Sequence, residues 1–391
     1  MTDSAAPSSN WNFPTTIRFG VGRIEELSKC CSNLGMSRPL LVTDPGLSGL
    51  DMVLDAIAAT TTNGLATGLF FDIKPNPVGK NISDGLRVFH EGGHDGVIAF
   101  GGGSAMDAGK TIAFMAGQKR PLWDFGDLGD NWKRAETDAI APVVAVPTTS
   151  GTGSEVGRAT AVIDEEAETK KILFHPRMLP ELVICDPQLV TGLPPAITAA
   201  TGMDALAHCL EAFCVDVYHP MADGIALEGI RLVRDWLPAA YQDGNHIEAR
   251  AHMMAAAAMG ATAFQKGLGA IHSLSHPVGA VFDTHHGLTN AVFMPYVLAF
   301  NQKAIGDKME RLARFIGLKK PSFQAVLEWA LDLRQKFEIP HTAAELGVAD
   351  GRVSDIAAMA ALDPTAPTNP VPAGETEMRR ILDAAMEGRI G

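Results

Sequence analysis

No run of Lys or Arg in the 391 residues is long enough to follow a phosphate backbone, and the formal net charge is −13. Nucleic-acid affinity comes largely from neutralised phosphates, so a nucleic-acid partner is not expected. No stretch approaches the roughly 20 consecutive apolar residues of a membrane span. The opening MTDSAAPSSNW has neither the basic head nor the apolar core of a secretory leader. Five cysteines (Cys30, Cys31, Cys185, Cys209 and Cys214) make an odd set without C-x-x-C spacing. This pattern fits reduced thiols in a cytosol better than a disulfide framework, so a cytoplasmic protein is expected. Two enzymatic signatures are also missing. Without a G-x-S-x-G elbow around Ser104 or Ser154, a serine hydrolase is disfavoured. Without a phosphate-binding loop ending in Gly-Lys-Ser/Thr, so is nucleotide hydrolysis.

What remains is a chain long enough for two domains. Up to about residue 190, short apolar runs alternate with amphipathic stretches, the pattern of βαβ units around a parallel sheet. The clearest runs are 39–44 (PLLVTD), 69–72 (LFFD), 96–100 (GVIAF), 142–146 (PVVAV) and 182–186 (LVICD), with helices predicted near 22–34, 80–91 and 104–116. From Leu193 the texture becomes rich in Ala, Leu and Met. Segments 221–240, 248–265, 303–316 and 322–336 carry apolar residues at helical spacing. The expected organisation is an α/β domain over 1–190 and an all-helical domain over 191–391. The segment 363–372 (DPTAPTNPVP) reads as a proline-punctuated loop before a short last helix.

Three constellations could carry chemistry. Asp204 and His208, four apart in a helical pattern, share one helix face with Cβ atoms ~6 Å apart. A cluster of His272, His276, His285 and His286 follows downstream. Imidazoles with one carboxylate form a borderline donor set that suits Fe(II) or Zn(II). The second is Gly101-Gly102-Gly103-Ser104-Ala105-Met106-Asp107, set between the GVIAF strand and a helix. Such a turn lets backbone N–H groups approach a pyrophosphate at a helix start. It is not the G-x-G-x-x-G fingerprint, and a plain tight turn is the competing reading. Asp44, ending PLLVTD, could accept from a ribose diol and repel a 2′-phosphate, favouring NAD over NADP, or could simply cap the next segment. The third is the hydroxyl- and glycine-rich PTTSGTGSE at 147–155. His90-Glu91-Gly92-Gly93-His94 satisfies H-E-x-x-H literally, but two glycines break the single helix that zinc-protease chemistry needs.

Taken in order, VTD (42–44), PNP (75–77), GGGS-x-x-D (101–107), PTTSGTGSE (147–155), GMDALAHCLEAF (202–213) and AIHSLSHPVGAVFDTHHG (270–287) resemble the iron-containing (group III) alcohol dehydrogenases. The resemblance implies a dehydroquinate-synthase-like architecture: a dinucleotide-binding α/β domain, a helical metal-binding domain and an active site between them. It implies metal ligation by Asp204, His208, His272 and His286, with His276 beside the reacting groups as a proton relay. It places the cofactor against Asp44, Asn76, Gly101, Gly102, Gly103, Ser104, Asp107, Thr148, Thr149, Thr152 and Lys170, although Lys171 adjoins the last. The implied reaction is hydride transfer between NAD(H) and a small primary alcohol, diol or hydroxy acid, in a homodimer or larger homo-oligomer. Two other classes remain open on sequence: an NAD- and metal-dependent lyase of the dehydroquinate-synthase type, and a non-catalytic metal-binding protein.

Overall fold

The computed structural model of the chain describes residues 15–390; the segment 1–11 read for a leader lies outside them. The first half consists of β1 (Thr16–Phe19), α1 (Leu27–Asn33), β2 (Pro39–Val42), α2 (Asp51–Thr62), β3 (Gly68–Phe70), α3 (Gly79–Glu91), β4 (Gly96–Gly101), α4 (Gly103–Met115), β5 (Val143–Pro147), β6 (Ala159–Asp164), β7 (Thr169–Phe174) and β8 (Leu182–Cys185). Six of these strands form one parallel sheet in the order β1-β8-β5-β4-β2-β3.

Alternation along the central strands decides which helix covers which face. Leu41, Ile98, Phe100, Val144 and Val146 pack with Leu27 of α1 and Val53 of α2. Leu40, Val42, Val97, Ala99 and Ala145 pack with Ile82 of α3 and Met106 and Ile112 of α4. The connections leaving the neighbouring strands β2 and β4 therefore cross opposite faces. This makes a switch point with a crevice at their carboxyl ends, where open α/β sheets bind ligands.

Each of the five strand runs read from the sequence forms. The antiparallel hairpin β6–β7 was not anticipated. It pairs Ala159 with Phe174 through to Asp164 with Thr169 and packs beside α4, outside the main sheet.

Helices make up the second half: α5 (Pro195–Cys214), α6 (Pro220–Gln242), α7 (Ile247–Ala263), α8 (Ala270–Phe282), α9 (His286–Phe315), α10 (Phe323–Lys336), α11 (Val353–Ala361) and α12 (Glu375–Glu387). Among the described residues no strand follows β8, and no helix is long and apolar enough to cross a membrane. The predicted helix at 303–316 is the end of the longer α9, which continues through Pro295. Its Ala291, Phe293, Val297 and Leu298 are buried in the apolar cluster of this half, and that packing offsets the hydrogen bond lost at proline. The H-E-x-x-H match does not form a site. α3 ends at Glu91, Gly93 has φ +59, and the His94 Nδ1 turns to the Arg38 carbonyl at 2.8 Å.

Candidate active site

α5 carries Asp204, His208 and Glu211 at spacings of four and three, so three polar side chains share one stripe of a helix buried among apolar neighbours. α8 contributes His272 and His276, and α9 starts at His286 after a tight loop in which Asp283 has φ +52. One ligand atom from each of Asp204, His208, His272 and His286 lies within 4.8 Å of the others. The Nε2 atoms of His286 and His208 are 3.7 and 4.0 Å from Asp204 Oδ1, and the His208 and His272 rings stack at 4.7 Å.

At their focus sits a single hydrogen-bond donor. The Asn290 amide nitrogen lies 2.7 Å from Asp204 Oδ1 and 3.2 Å from Nε2 of both His272 and His286. Acceptors converging from three helices on one positively polarised group form a surrounding suited to a cation. Three imidazoles and a carboxylate fit Fe(II) or Zn(II). Burial pushes His208 down to about 4 and holds His286 well below the usual range, the latter helped by the Lys170 ammonium. Both rings are therefore neutral near pH 7, as metal ligation requires.

Two further carboxylates stand behind this cluster. Glu211 Oε2 is 2.6 Å from His272 Nδ1, and Asp363 Oδ2 is 2.8 Å from His276 Nδ1. The other Asp363 oxygen accepts from the Thr365 amide at 2.8 Å and its hydroxyl at 2.6 Å. Burial alone would raise the Asp363 carboxyl, but the His276 charge and the bonds from His276 and Thr365 prevail and hold it below the usual range. His276 is itself buried, with its ring stacked 5.6 Å from that of His286.

Opposite this stripe lies the switch-point crevice of the sheet. Asp44 Oδ1 accepts from the amides of Gly46 and Leu47 at 2.9 and 3.2 Å, so the capping reading holds for one oxygen. The other oxygen faces the Gly101 turn, where an added Cβ would come within 3.6 Å of it. α4 begins at Gly103, and its first N–H groups have no partner within the helix. A Cβ at Gly103 would lie 2.5 Å from Thr152 Oγ1, so the two glycine-rich turns touch only because this residue has no side chain. Thr149 borders Gly102 in the same way, and the Thr148 amide donates to the Gly101 carbonyl at 3.0 Å.

A buried network locks the turns together. Both Asp107 oxygens are engaged, by the Ser154 hydroxyl at 2.6 Å and the Ala161 amide at 2.9 Å. The Lys110 ammonium donates to the Ser154 hydroxyl and to the carbonyls of Ser154, Gly157 and Ala159. Burial pulls Lys110 down to about 8 and pushes the neighbouring Glu155 up to about 7.

The two halves meet at the same place. Gly153, at φ +64, lies where a Cβ would be 2.4 Å from the Ala257 carbonyl of α7. Asn76 donates to Asp283 at 2.7 Å across the cleft.

Comparison with known proteins agrees along the whole chain. The iron-containing alcohol dehydrogenase family model matches residues 14–187, and the family's C-terminal domain matches residues 198–386. The chain belongs to the iron-containing alcohol dehydrogenase family. It is 39% identical over 384 residues to the 4-hydroxybutyrate dehydrogenase of Cupriavidus necator, covering 95% of this chain and 98% of that one. A crystal structure of 1,3-propanediol oxidoreductase superposes with a TM-score of 0.91 at 32% identity, covering 97% of this chain and 100% of the other. A sulfoacetaldehyde reductase from Bifidobacterium kashiwanohense, solved with NAD+, gives a TM-score of 0.87 at 26% identity over 97% of this chain and 99% of that one. This family member is accordingly an alcohol oxidoreductase.

Within this family member the four ligand candidates meet, and the adjacent Lys170 and Lys171 have different surroundings. Neighbours on a strand point to opposite faces. Lys171 pairs with Asp164 at 2.5 Å and lies over Trp123, whereas Lys170 feels the charges of Asp107, Asp204 and Asp363. Burial lowers the Lys170 pKa. His285 caps α9, its Nδ1 accepting from the Leu288 amide at 3.4 Å. The Ser104 hydroxyl donates to the Pro75 carbonyl, tying the glycine turn to the PNP loop.

Sequence reasoning passed over Glu211, Asn290, Asp363 and Lys110. Helical spacing could have flagged Glu211, three residues after His208, and Asn290, four after His286. Lys110 follows Asp107 by three on α4. Asp363 carries no local signal, because its loop and His276 are 87 residues apart.

Proposed function

We propose that Asp204, His208, His272 and His286 hold one divalent cation, Fe(II) in the first place and Zn(II) as the alternative. NAD then lies along the switch-point crevice of a 1–190 domain, facing the helical 191–391 domain. The observation that carries this reading is the convergence of the four ligand atoms within 4.8 Å. The α4 start at Gly101, Gly102, Gly103 and Ser104 receives the pyrophosphate, with Thr148, Thr149 and Thr152 around it. Asp107 acts by holding the 147–157 loop in place. Asp44, with one oxygen uncommitted, takes the ribose diol and disfavours the 2′-phosphate of NADP. Asn76 and Lys170 close the nicotinamide end.

When bound, the cation supplies Lewis acidity toward the substrate oxygen and the nicotinamide supplies the hydride acceptor. His276 moves the alcohol proton. Its Nδ1 is engaged by Asp363, so Nε2 is the atom free to exchange it. The burial of His276 and of the surrounding stripe keeps water from competing.

The hydroxybutyrate and propanediol dehydrogenases among the relatives favour a short chain with a polar group at its far end. Five buried free cysteines support a reducing cytoplasm. The β1 edge, which pairs with no further strand among the described residues and has Phe19 and Val21 exposed, supports a homodimer, which light scattering would test. The central experiment strips the metal, restores Fe(II) or Zn(II) anaerobically and follows NADH absorbance with 4-hydroxybutyrate, 1,3-propanediol, short alcohols and their aldehydes. Turnover should return with about one cation per chain. Full activity of metal-free protein, or no reaction with any of the panel, would overturn the reading.

A further inference from the structure

Glu211 lies in none of the roles above, yet it is 6% exposed and makes two short bonds inside the helical core. One oxygen accepts from the Ile271 amide at 2.7 Å and the other meets His272 Nδ1 at 2.6 Å. With a carboxylate oxygen as the acceptor, His272 Nδ1 is the donor, which leaves the Nε2 lone pair toward the Asn290 amide nitrogen 3.2 Å away. The Ile271 bond matters because it fixes Glu211 through the backbone of the residue preceding the histidine. A carboxylate anchored on one oxygen can orient a ring with the other.

We infer that Glu211 is a positioning residue of the metal centre: it sets the His272 tautomer and ring angle at a site whose proposed liganding carboxylate is Asp204. This rests on the proposed metal role of the four ligands. Outer partners of liganding histidines commonly change metal affinity 10- to 100-fold when removed.

Glutamine is the informative substitution because it keeps size and shape. Its amide has one acceptor where glutamate has two. If the Gln carbonyl receives the Ile271 N–H, its NH2 group faces His272 Nδ1 and drives the proton to Nε2, against the cation. If the amide flips, two N–H groups collide at Ile271 in a buried place. Either way the isosteric change is expected to be at least as harmful as truncation to alanine, the reverse of what a packing role produces.

The experiment measures Zn(II) and Co(II) dissociation constants by chelator competition for the wild type, Glu211→Gln and Glu211→Ala, with the Co(II) visible spectrum recorded for each. Thermal melts of the metal-free proteins verify folding. The expected result is affinity at least about tenfold weaker in Glu211→Gln, no smaller a loss than in Glu211→Ala, and an altered Co(II) spectrum. A Glu211→Gln protein that binds within tenfold of the wild type, or that clearly outbinds Glu211→Ala, overturns the inference while leaving the metal site standing. A wild type that binds neither ion removes the reading beneath it as well. Should Glu211→Gln not fold, Ile271→Pro tests the same anchor by deleting its N–H near the start of α8, and unchanged affinity there also overturns the inference.

Discussion

The two halves of the molecule build their sites from different materials. In the helical half, charged and polar side chains are sunk in an apolar core: Asp204, His208, Glu211, His272, His276 and Asn290 are all buried, and all but His208 are hydrogen-bonded to another of the group or to Asp363. In the α/β half the crevice is made of backbone. Its polar side chains Asp107, Lys110 and Ser154 bond to one another and to backbone groups of the 154–161 segment. A cation needs lone pairs at fixed points, which side chains supply. A pyrophosphate needs many weak donors at close range, which an unobstructed turn supplies. The helical half should therefore fail when a functional group is removed, and the α/β half when an atom is added.

The largest effect tests the first limb of that contrast. His272→Ala should leave less than about a tenth of the wild-type metal, as a site loses one of its four ligands. No measurable NADH formation should remain. Elemental analysis beside the absorbance assay checks both, and a metal-replete, active variant would erase the distinction. Next comes Asp363→Asn, which should lower kcat about a hundredfold, within the range of general acid–base contributions. Metal content and KM should stay near wild type; loss of metal would move Asp363 into the ligand support.

The second limb is tested by adding one carbon. Gly103→Ala places a Cβ 2.5 Å from Thr152 Oγ1, so the two turns must separate. NAD affinity, followed by fluorescence titration, should weaken about tenfold, equivalent to ~1.4 kcal/mol. The metal should remain, and unchanged NAD affinity would show that the turns tolerate separation.

The smallest effect concerns the buried network under those turns. Burial raises Glu155 from its ordinary 4.5 to about 7, so the folded state keeps a proton that the unfolded state releases. The stability this contributes is fully present below about pH 4.5 and is lost as pH rises through 7. Glu155→Gln should flatten the fall in melting temperature across that window by a few degrees. An unaltered pH profile would mean that the carboxyl is better solvated than its surroundings indicate.

Much of this was legible beforehand, for a physical reason that differs by element. The strands β2, β4 and β5 are near-continuous apolar runs because both faces of a parallel sheet are covered, and that burial is written into consecutive residues. Asp204 and His208 could be paired because helical period makes residues four apart neighbours without any tertiary contact. The hairpin β6–β7 escaped notice because it lies outside the main sheet, and most of β7 is only partly buried, so TKKILF lacks a clean apolar signature.

Local residue chemistry, then, specified a parallel α/β half, a helical half, a glycine turn at a helix start and a metal-seeking set of imidazoles with one carboxylate. Packing alone settled which groups stand behind the proposed ligands. Glu211 reaches His272 across 61 residues and Asp363 reaches His276 across 87, while Lys170 and Lys171 part company on the two faces of one strand. Spacing along a chain encodes neighbours within a helix or strand. Contacts between elements depend on how whole apolar faces fit together, and no short stretch of residues contains that information.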